Sequence, residues 1–575
     1  MVWRVRPPST NIKLKRGGAK VAEKKVLIMG GGAAGIQAAL SEAAAGNKVY
    51  VAEHFPSIGG ERIPQDRIIT DGDAFTAPDV AAFKNNENIE FLRNADVQAL
   101  VGENGQYKVK IHCRSARVDM DKCDACGECI KVCPIHMYDD YNEALEWRTA
   151  VDFFNSASGN YNIFKEDMPV CQRTCPINLD IRTYVGYIAD GKYAESLATI
   201  RKKLPFPLSI GRVCPHPCEG ECNRGYKDEP ISICFLKRFV ADYEINNNIE
   251  SKIQLPDESY PEKIAIIGGG PSGLTCAYHL ALFGYKNITV FEALPEPGGM
   301  FRVGIPEYRL PKEILAKDIE FIKRHGVEIK CGVRIGQDIS FDDIRKDYDA
   351  VLIAIGAHKG MSMRVKNEDV EGVFEGVKFL RDAALGNEIP NKGTAIVVGG
   401  GNVAMDVART SLRVGFDEVN LLYRRTRKEM PASPWEVDAA EHEGVKFHFL
   451  VAPQEVVVKD GKAVGMKCLK MELGEPDATG RRKPVPIEGS EFVMDADTIF
   501  AAIGQVTDNT IVDEKHGFKF GRKLNFEVNP KTFETNVEGV FASGDAATGA
   551  NIAIRACAGG KTAAESIHKY LRGKK

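Results

Sequence analysis

The stretch Lys263–Gly273, KIAIIGGGPSG, decides how this chain is read. It opens with an apolar run, Ile264–Ile267, the pattern of a strand buried on both faces. Gly268-x-Gly270-x-x-Gly273 follows, passing through Pro271 and Ser272 into an apolar helical pattern. Gly268 supplies a tight turn, Gly270 lets the main chain close on a pyrophosphate, and Gly273 lets helix and strand pack closely. The helix start then presents its free N–H groups to phosphate. A second strand, NITVFE, ends at Glu292, 24 residues after Gly268, where a carboxylate accepts hydrogen bonds from a ribose. A lone glycine-rich turn is weak evidence. Strand, glycines, helix, strand and acid in this order point to a nucleotide site.

The plan occurs twice more. TAIVVGGGNVAMDVA carries Gly399-x-Gly401-x-x-Ala404, with Asn402 and Val403 opening the helix, and alanine in the third place still permits close packing. Its second strand, VNLLYRR, ends in Arg424 and Arg425, 25 and 26 residues past Gly399, where an acid would favour NAD. Arginine accommodates a 2′-phosphate and favours NADP(H), although stacking on adenine would leave NAD(H) usable. Near the start, KVLIMGGGAAG gives Gly30-x-Gly32-x-x-Gly35 and KVYVAE ends at Glu53, with a Gly59-Gly60 pair matching Gly298-Gly299 of the central unit. This first unit has no closing half of its own. It is either a second site for a flavin nucleotide or a degenerate scaffold.

A length of 575 residues suggests about four domains. The 76 Lys and Arg against 79 Asp and Glu give a net charge of −3, which offers nothing to nucleic acid or an anionic membrane. The first 25 residues hold eight Lys or Arg and one Glu without a following apolar core, so they do not form a signal peptide. No apolar run approaches the ~20 residues that span a bilayer, and a cytoplasmic location is expected.

Ten of the 15 cysteines lie between Cys123 and Cys234, where thiols in a chain without an export signal point to metal rather than disulfides. Cys123-x-x-Cys126-x-x-Cys129-x-x-x-Cys133-Pro134 is the bacterial ferredoxin spacing for a [4Fe-4S] cube. In two-cluster ferredoxins the fourth cysteine serves the other cluster, which leaves the place of Cys133 open. Residues 140 to 250 read as mostly helical and carry Cys171, Cys175, Cys214, Cys218, Cys222 and Cys234, enough for one further cluster. Cys113, Cys276, Cys331, Cys468 and Cys557 are scattered singly and read as small buried apolar residues.

Residues 24 to 135, with PSIGG and ARVDMDKCDACGEC, resemble the start of the flavin subunit of heterodisulfide reductase. They depart from it at DGDAFTAPDV, where that family carries more cysteines. Residues 168 to 570 resemble the small subunit of glutamate synthase, the amino-terminal half of dihydropyrimidine dehydrogenase and the large subunit of ferredoxin-NADP transhydrogenase. GRVCPHPCEGEC, GGMFRVGIPEYRLPKEIL, GGGNVAMDVART, YRRTRKEMPAS and ASGDAATG carry this resemblance. It implies FAD at the central unit, with Gly298, Gly299, Arg302 and Arg309 near the isoalloxazine and Gly504, Gly544 and Asp545 closing the site. A helix starting near Asn551, through Ala553, is expected to aim its positive end at the ring and favour the anionic reduced flavin. The resemblance also implies a cluster on Cys175, Cys214 and Cys218, whose fourth ligand varies in the family. Cys234 is the candidate for it. Two cysteines the family carries before Cys171 are replaced here by YNIFKEDMPV, so the family's cluster that uses them is either missing or draws thiols from the ferredoxin run.

The expected fold is α/β: two Rossmann-like domains of the disulfide-reductase plan, an amino-terminal Rossmann half-domain, a ferredoxin-like segment and a helical iron-sulfur domain. The expected boundaries are a basic tail 1–23, a truncated unit 24–112, the ferredoxin segment 113–140 and the helical domain 141–255. The FAD domain takes 256–360 with 500–575, and the NAD(P) domain takes 361–499. The expected chemistry is hydride transfer between NAD(P)H and FAD, then single electrons through at least two [4Fe-4S] clusters to or from an oxidoreductase or ferredoxin partner in a hetero-oligomer. No side-chain acid or base is needed for the hydride step. Disulfide chemistry is excluded because residues 310–575 hold only the unpaired Cys331, Cys468 and Cys557. A wiring module with vestigial nucleotide sites, or an electron-bifurcating subunit, are the alternatives.

Overall fold

The computed structural model describes residues 9–14, 24–54, 80–103, 106–113, 118, 122, 126–138, 147–152, 162–163, 168–247, 249, 253, 255–389, 392–476 and 480–573. The chain divides into two compact units, Met1–Met168 and Pro169–Lys575. Among the described residues no helix is long and apolar enough to cross a membrane.

In the second unit, the strand grown from KIAII, Tyr260–Ile267, is the middle of a five-stranded parallel sheet. Its neighbours are Tyr285–Glu292 and then Glu328–Cys331 on one side, and Ala350–Ile353 and then Val540–Ala542 on the other. Strands with both faces covered need unbroken apolar sequence, and Ile264, Ala265, Ile266 and Ile267 are all buried. Gly268 adopts φ +111, and a Cβ there would stand 2.4 Å from the Ala354 carbonyl oxygen; a Cβ on Gly273 would stand 2.0 Å from the Gly268 carbonyl oxygen. The turn therefore admits only glycine at both places.

A second parallel sheet has the order Val373–Glu375, Thr498–Ala501, Thr394–Val398, Glu418–Tyr423, Lys446–Phe449. An antiparallel sheet of Val451–Lys459, Lys462–Pro476, Arg482–Pro486 and Phe492–Asp495 extends it. Two crossings join the nucleotide domains, and they pair as a short ribbon, Lys359–Gly360 against Gln505–Val506. One boundary needs correction. Phe500 and Ala501 belong to the second sheet through their ladder with Val397 and Val398, so the chain returns to the first domain only after Ala501.

Helices Val170–Thr174, Ile181–Ala189, Tyr193–Arg201, Pro207–Val213, Pro217–Gly220 and Ile233–Asn246 form the cysteine-bearing domain. Its core is continuous with that of the first nucleotide domain: Tyr184, Phe206 and Leu208 join Tyr278, Phe301 and Phe321 in one apolar cluster. The helical character expected from residue 140 begins at Val170. Before it, Trp147–Thr149, Val151–Asp152 and Asn162–Ile163 are short strands.

In the first unit, Lys25–Met29, Lys48–Ala52 and Ile89–Leu92 form a parallel sheet with helix Ala33–Ala44. A three-stranded antiparallel sheet pairs Gln106–Cys113 with Ala95–Glu103 and with Ser9–Leu14.

Candidate functional site

Both complete glycine turns of the second unit open into one cavity of about 1410 Å³. Gly268, Gly270, Pro271, Ser272 and Glu292 line it from the first domain, and Gly399, Gly401, Asn402, Val403, Arg424 and Arg425 from the second. Gly299, Arg309, Gly504, Asp545, Asn551 and Ala553 also border it, as does Cys214 of the helical domain. Residues about 340 positions apart in sequence thus share one cleft, as parallel sheets place the ends of their strands.

Glu292, expected to accept from a ribose, is itself held by main-chain N–H groups. Its Oε2 accepts from the Gly269 N–H at 2.7 Å and its Oε1 from the Leu294 N–H at 2.8 Å. Burial nevertheless raises its pKa, with those two bonds working against the rise. Also on the cleft, burial pushes the Asp545 carboxyl up to about 7 although it accepts from the Asn551 N–H. The helix expected near Asn551 starts at Ala553 and runs to Gly573. Gly544, Gly273, Gly298 and Ala404 support the turns from behind. Gly544 sits against Ser272, and Gly298 against Leu315 and Arg302.

The two arginines of the GGMFRVGIPEYR strip have separate partners. Arg302 ion-pairs with Glu296 and donates to the Pro297 carbonyl at 2.7 Å, which ties down its own loop. Arg309 donates from one nitrogen to both carboxylate oxygens of Asp406 at 2.8 and 2.7 Å, and its Nε lies 3.0 Å from Glu436. Both acids belong to the second nucleotide domain, so Arg309 bridges the domains.

The Cys234 thiol, on helix Ile233–Asn246, donates to Cys214; this holds Cys214 down at about 6 against burial and pushes Cys234 up. Burial pushes Cys218 up to about 12. One turn after Cys234, Lys237 is 4 % exposed. Burial opposes its ammonium, yet Cys214, Cys234, Cys175 and Cys218 together outweigh burial and raise its pKa. A buried cation within electrostatic reach of these thiols suits an anionic cluster on the same four residues. Burial and the neighbouring Cys222 raise the Cys171 thiol. No three His, Cys, Asp or Glu side chains among the described residues converge closely enough to chelate a single ion.

In the first unit, the Gly31 N–H donates to Glu53 at 2.5 Å, the same acid-to-turn bond as Gly269 to Glu292, and a Cβ on Gly35 would meet the Gly30 carbonyl oxygen at 1.9 Å. Nothing adjoins the position of a Cβ on Gly32. Gly127, in the left-handed region at φ +79, opens helix Glu128–Val132, which carries Cys129 and leads to Cys133. Cys126 is exposed, and Cys123 and the Gly59-Gly60 pair lie outside the described residues. Of the scattered thiols, Cys276, Cys468 and Cys557 are fully buried, but Cys331 is exposed because it ends an edge strand.

Sequence reasoning missed several residues at the cleft. His358, whose imidazole burial lowers to about 4, follows the strand Ala350–Ile353 in AIGAHKG. A polar residue just past a parallel strand is a usable signal. Trp435, stacked on His216 at 5.2 Å, and Arg481 had no such signal.

The family model for pyridine nucleotide-disulphide oxidoreductases matches residues 239–343 and 263–560. The model for dihydropyrimidine dehydrogenase domain II, 4Fe-4S cluster, matches 164–249, and a 4Fe-4S binding domain matches 115–139. The NADP(+)-dependent formate dehydrogenase subunit beta of Moorella thermoacetica is 48 % identical over 425 residues, 70 % of this chain and 60 % of that protein. The NADPH-Fe(3+) oxidoreductase subunit beta of Geobacter sulfurreducens is 43 % identical over 427 residues, 70 % of this chain and 63 % of that protein. The chain thus spans less than two thirds of the length of either. The glutamate synthase [NADPH] small chain of Escherichia coli is 34 % identical over 423 residues, 70 % of this chain and 89 % of that protein. This chain belongs to the pyridine nucleotide-disulphide oxidoreductase family, carries two matches to 4Fe-4S domain models and is akin to the glutamate synthase small chain.

Proposed function

We propose that the chain is the electron-entry subunit of a larger oxidoreductase, exchanging a hydride with NADPH and single electrons with a partner that holds its own substrate site. The observation that carries this reading is the single cavity bordered by both nucleotide turns and by Cys214. Three relatives with different printed activities are each a beta subunit or small chain, which fits a common entry module serving different partners.

When bound, the flavin supplies the conversion of a two-electron hydride into single electrons, and the clusters supply one-electron conduction. The chain's own residues bind, orient and exclude water. The Gly268–Gly273 turn and the start of helix Pro271–Leu282 receive a pyrophosphate, and Glu292, fixed by two main-chain N–H groups, faces a ribose. The start of helix Ala553–Gly573 and Asp545 border the same cleft. Arg309, locked to Asp406 and Glu436, keeps the second domain in register so that the two nucleotides meet. Lys237 offsets negative charge at the Cys175, Cys214, Cys218 and Cys234 group. Disulfide chemistry is no part of the proposal, since Cys468 and Cys557 are buried singly.

Anaerobic spectra of the purified protein, recorded with NADPH and with NADH, test the reading. Bleaching of the flavin bands followed by cluster reduction is expected with NADPH. Cluster absorbance alone, unchanged by either nucleotide, would instead identify an assembly module with vestigial nucleotide sites.

A further inference from the structure

The cleft carries an arginine that the strand-end pattern does not announce. Arg424 follows the strand Glu418–Tyr423 directly and is exposed where it borders the cavity. Arg425 also borders the cavity but is only 7 % exposed, and its Nε donates to the Arg482 carbonyl at 2.7 Å. Its own carbonyl accepts from the Leu450 N–H at 3.1 Å, and the Leu450 carbonyl accepts from the Met471 N–H at 2.8 Å. The end of the nucleotide strand is therefore stitched to the antiparallel sheet. In that sheet Pro476 stands opposite Arg482, and the Arg482 side chain turns back to donate to the carbonyls of Gly474 at 3.0 Å and Leu473 at 2.6 Å. These bonds fix the main chain next to Arg481, which borders the same cavity.

We propose that Arg481 is a second 2′-phosphate-reading cation, set beside Arg424 by the bond from Arg425 to the Arg482 carbonyl. This rests on the reading of NADPH as the nucleotide of the second domain. A phosphate monoester carries nearly two negative charges at neutral pH and three acceptor oxygens, more than one planar guanidinium saturates. Arg424 arrives from the sheet end and Arg481 from the hairpin. Two guanidinium groups from different elements engage a phosphate, while a bare 2′-hydroxyl gains little from either. Arg425 is a positioning residue, because its Nε serves the main chain.

Calorimetric titration of the purified full chain with adenosine 2′,5′-bisphosphate and with 5′-AMP separates the phosphate from the rest of the nucleotide. R481Q is expected to weaken the bisphosphate about tenfold, or ~1.4 kcal/mol, and to leave 5′-AMP within about twofold. R425M is expected to weaken the bisphosphate as well, and the double variant to be no worse than the larger single loss, since both act through one group. If R481Q is silent while R424Q abolishes the bisphosphate preference, this inference is overturned and the NADPH reading stands. If the wild-type chain binds the two ligands equally, both fall. Additive losses in the double variant would refute the positioning role of Arg425, and a loss of 5′-AMP binding in R481Q would refute a role confined to the phosphate.

Discussion

Replacing Arg309 with methionine isolates the contact that joins the two nucleotide domains. The guanidinium is 15 % exposed, and its partners Asp406 and Glu436 are 5 % and 9 % exposed, so the group lies almost wholly out of water. Arg409 shares Glu436 and pairs with Glu443, and Arg409 and Arg413 lie 4.5 and 3.9 Å from the Tyr308 ring centre. Burial already lifts the Asp406 carboxyl to about 6, with Arg309 working against that rise. R309M would strand Asp406 as a buried charge, at a cost of about 3–5 kcal/mol. Scaled by ~2 °C per kcal/mol for large units, the first thermal transition at pH 8 should fall by roughly 6–10 °C. The Asp406 pKa would rise further above its ordinary value, so the variant binds more protons folded than unfolded. Its deficit should then shrink as pH falls from 8 towards 5. R309M/D406N, which removes both charges, should recover at least half of the loss. Differential scanning calorimetry at pH 5.5 and 8 reads all three effects. A deficit under about 1 kcal/mol, or no recovery in the double variant, would show that the pair does not hold the domains together.

Asp318, fully buried, accepts from the Ser209 N–H and hydroxyl at 2.8 Å each, and burial pushes its carboxyl up to about 7 against those bonds. A folded pKa above the unfolded one means stability is full below about pH 4 and is lost as pH rises towards 7. Asp318→Asn should therefore gain on the wild type between pH 5 and 8, by at most ~4 kcal/mol in thermal melts. A Cβ on Gly560 would lie 2.1 Å from the Ser272 carbonyl oxygen. Gly560→Ala should cost about 1–3 kcal/mol and lower the flavin-to-protein absorbance ratio, because the displaced helix start carries the nucleotide turn. Cys234→Ala should lower iron by about four atoms per chain, one cube, whereas Cys468→Ala, at a buried thiol of the second nucleotide domain, should leave iron unchanged.

What the sequence disclosed is what short-range chemistry writes into it. Gly268, Gly273 and Glu292 lie within 25 residues of one another, and the glycines are dictated by a turn and a close approach, so the nucleotide turn is legible without a structure, although the main-chain N–H that holds Glu292 is not. The same holds for Gly31 and Glu53 in the first unit. Arg309 was legible as a fixed charge in the right strip, but its partner Asp406 is 97 residues away and no local pattern names it. Ser209 and Asp318, 109 residues apart, are equally silent in sequence, because each reads alone as an ordinary surface-type residue.

The twin arginines show how this division shapes function. As neighbours at a strand end, Arg424 and Arg425 look equivalent, and residue type alone assigns both to a phosphate. The fold separates them: both border the cleft, but Arg424 is exposed there while Arg425 is buried with its Nε on the Arg482 carbonyl. The buried one holds the Arg482 main chain, and through it the hairpin that carries Arg481 to the cavity. A specificity contact thus depends on a residue 57 positions from its anchor. Tertiary hydrogen bonds of this kind decide which charges read a ligand and which hold the framework, so substitutions at Arg425 should act on phosphate recognition only through Arg481.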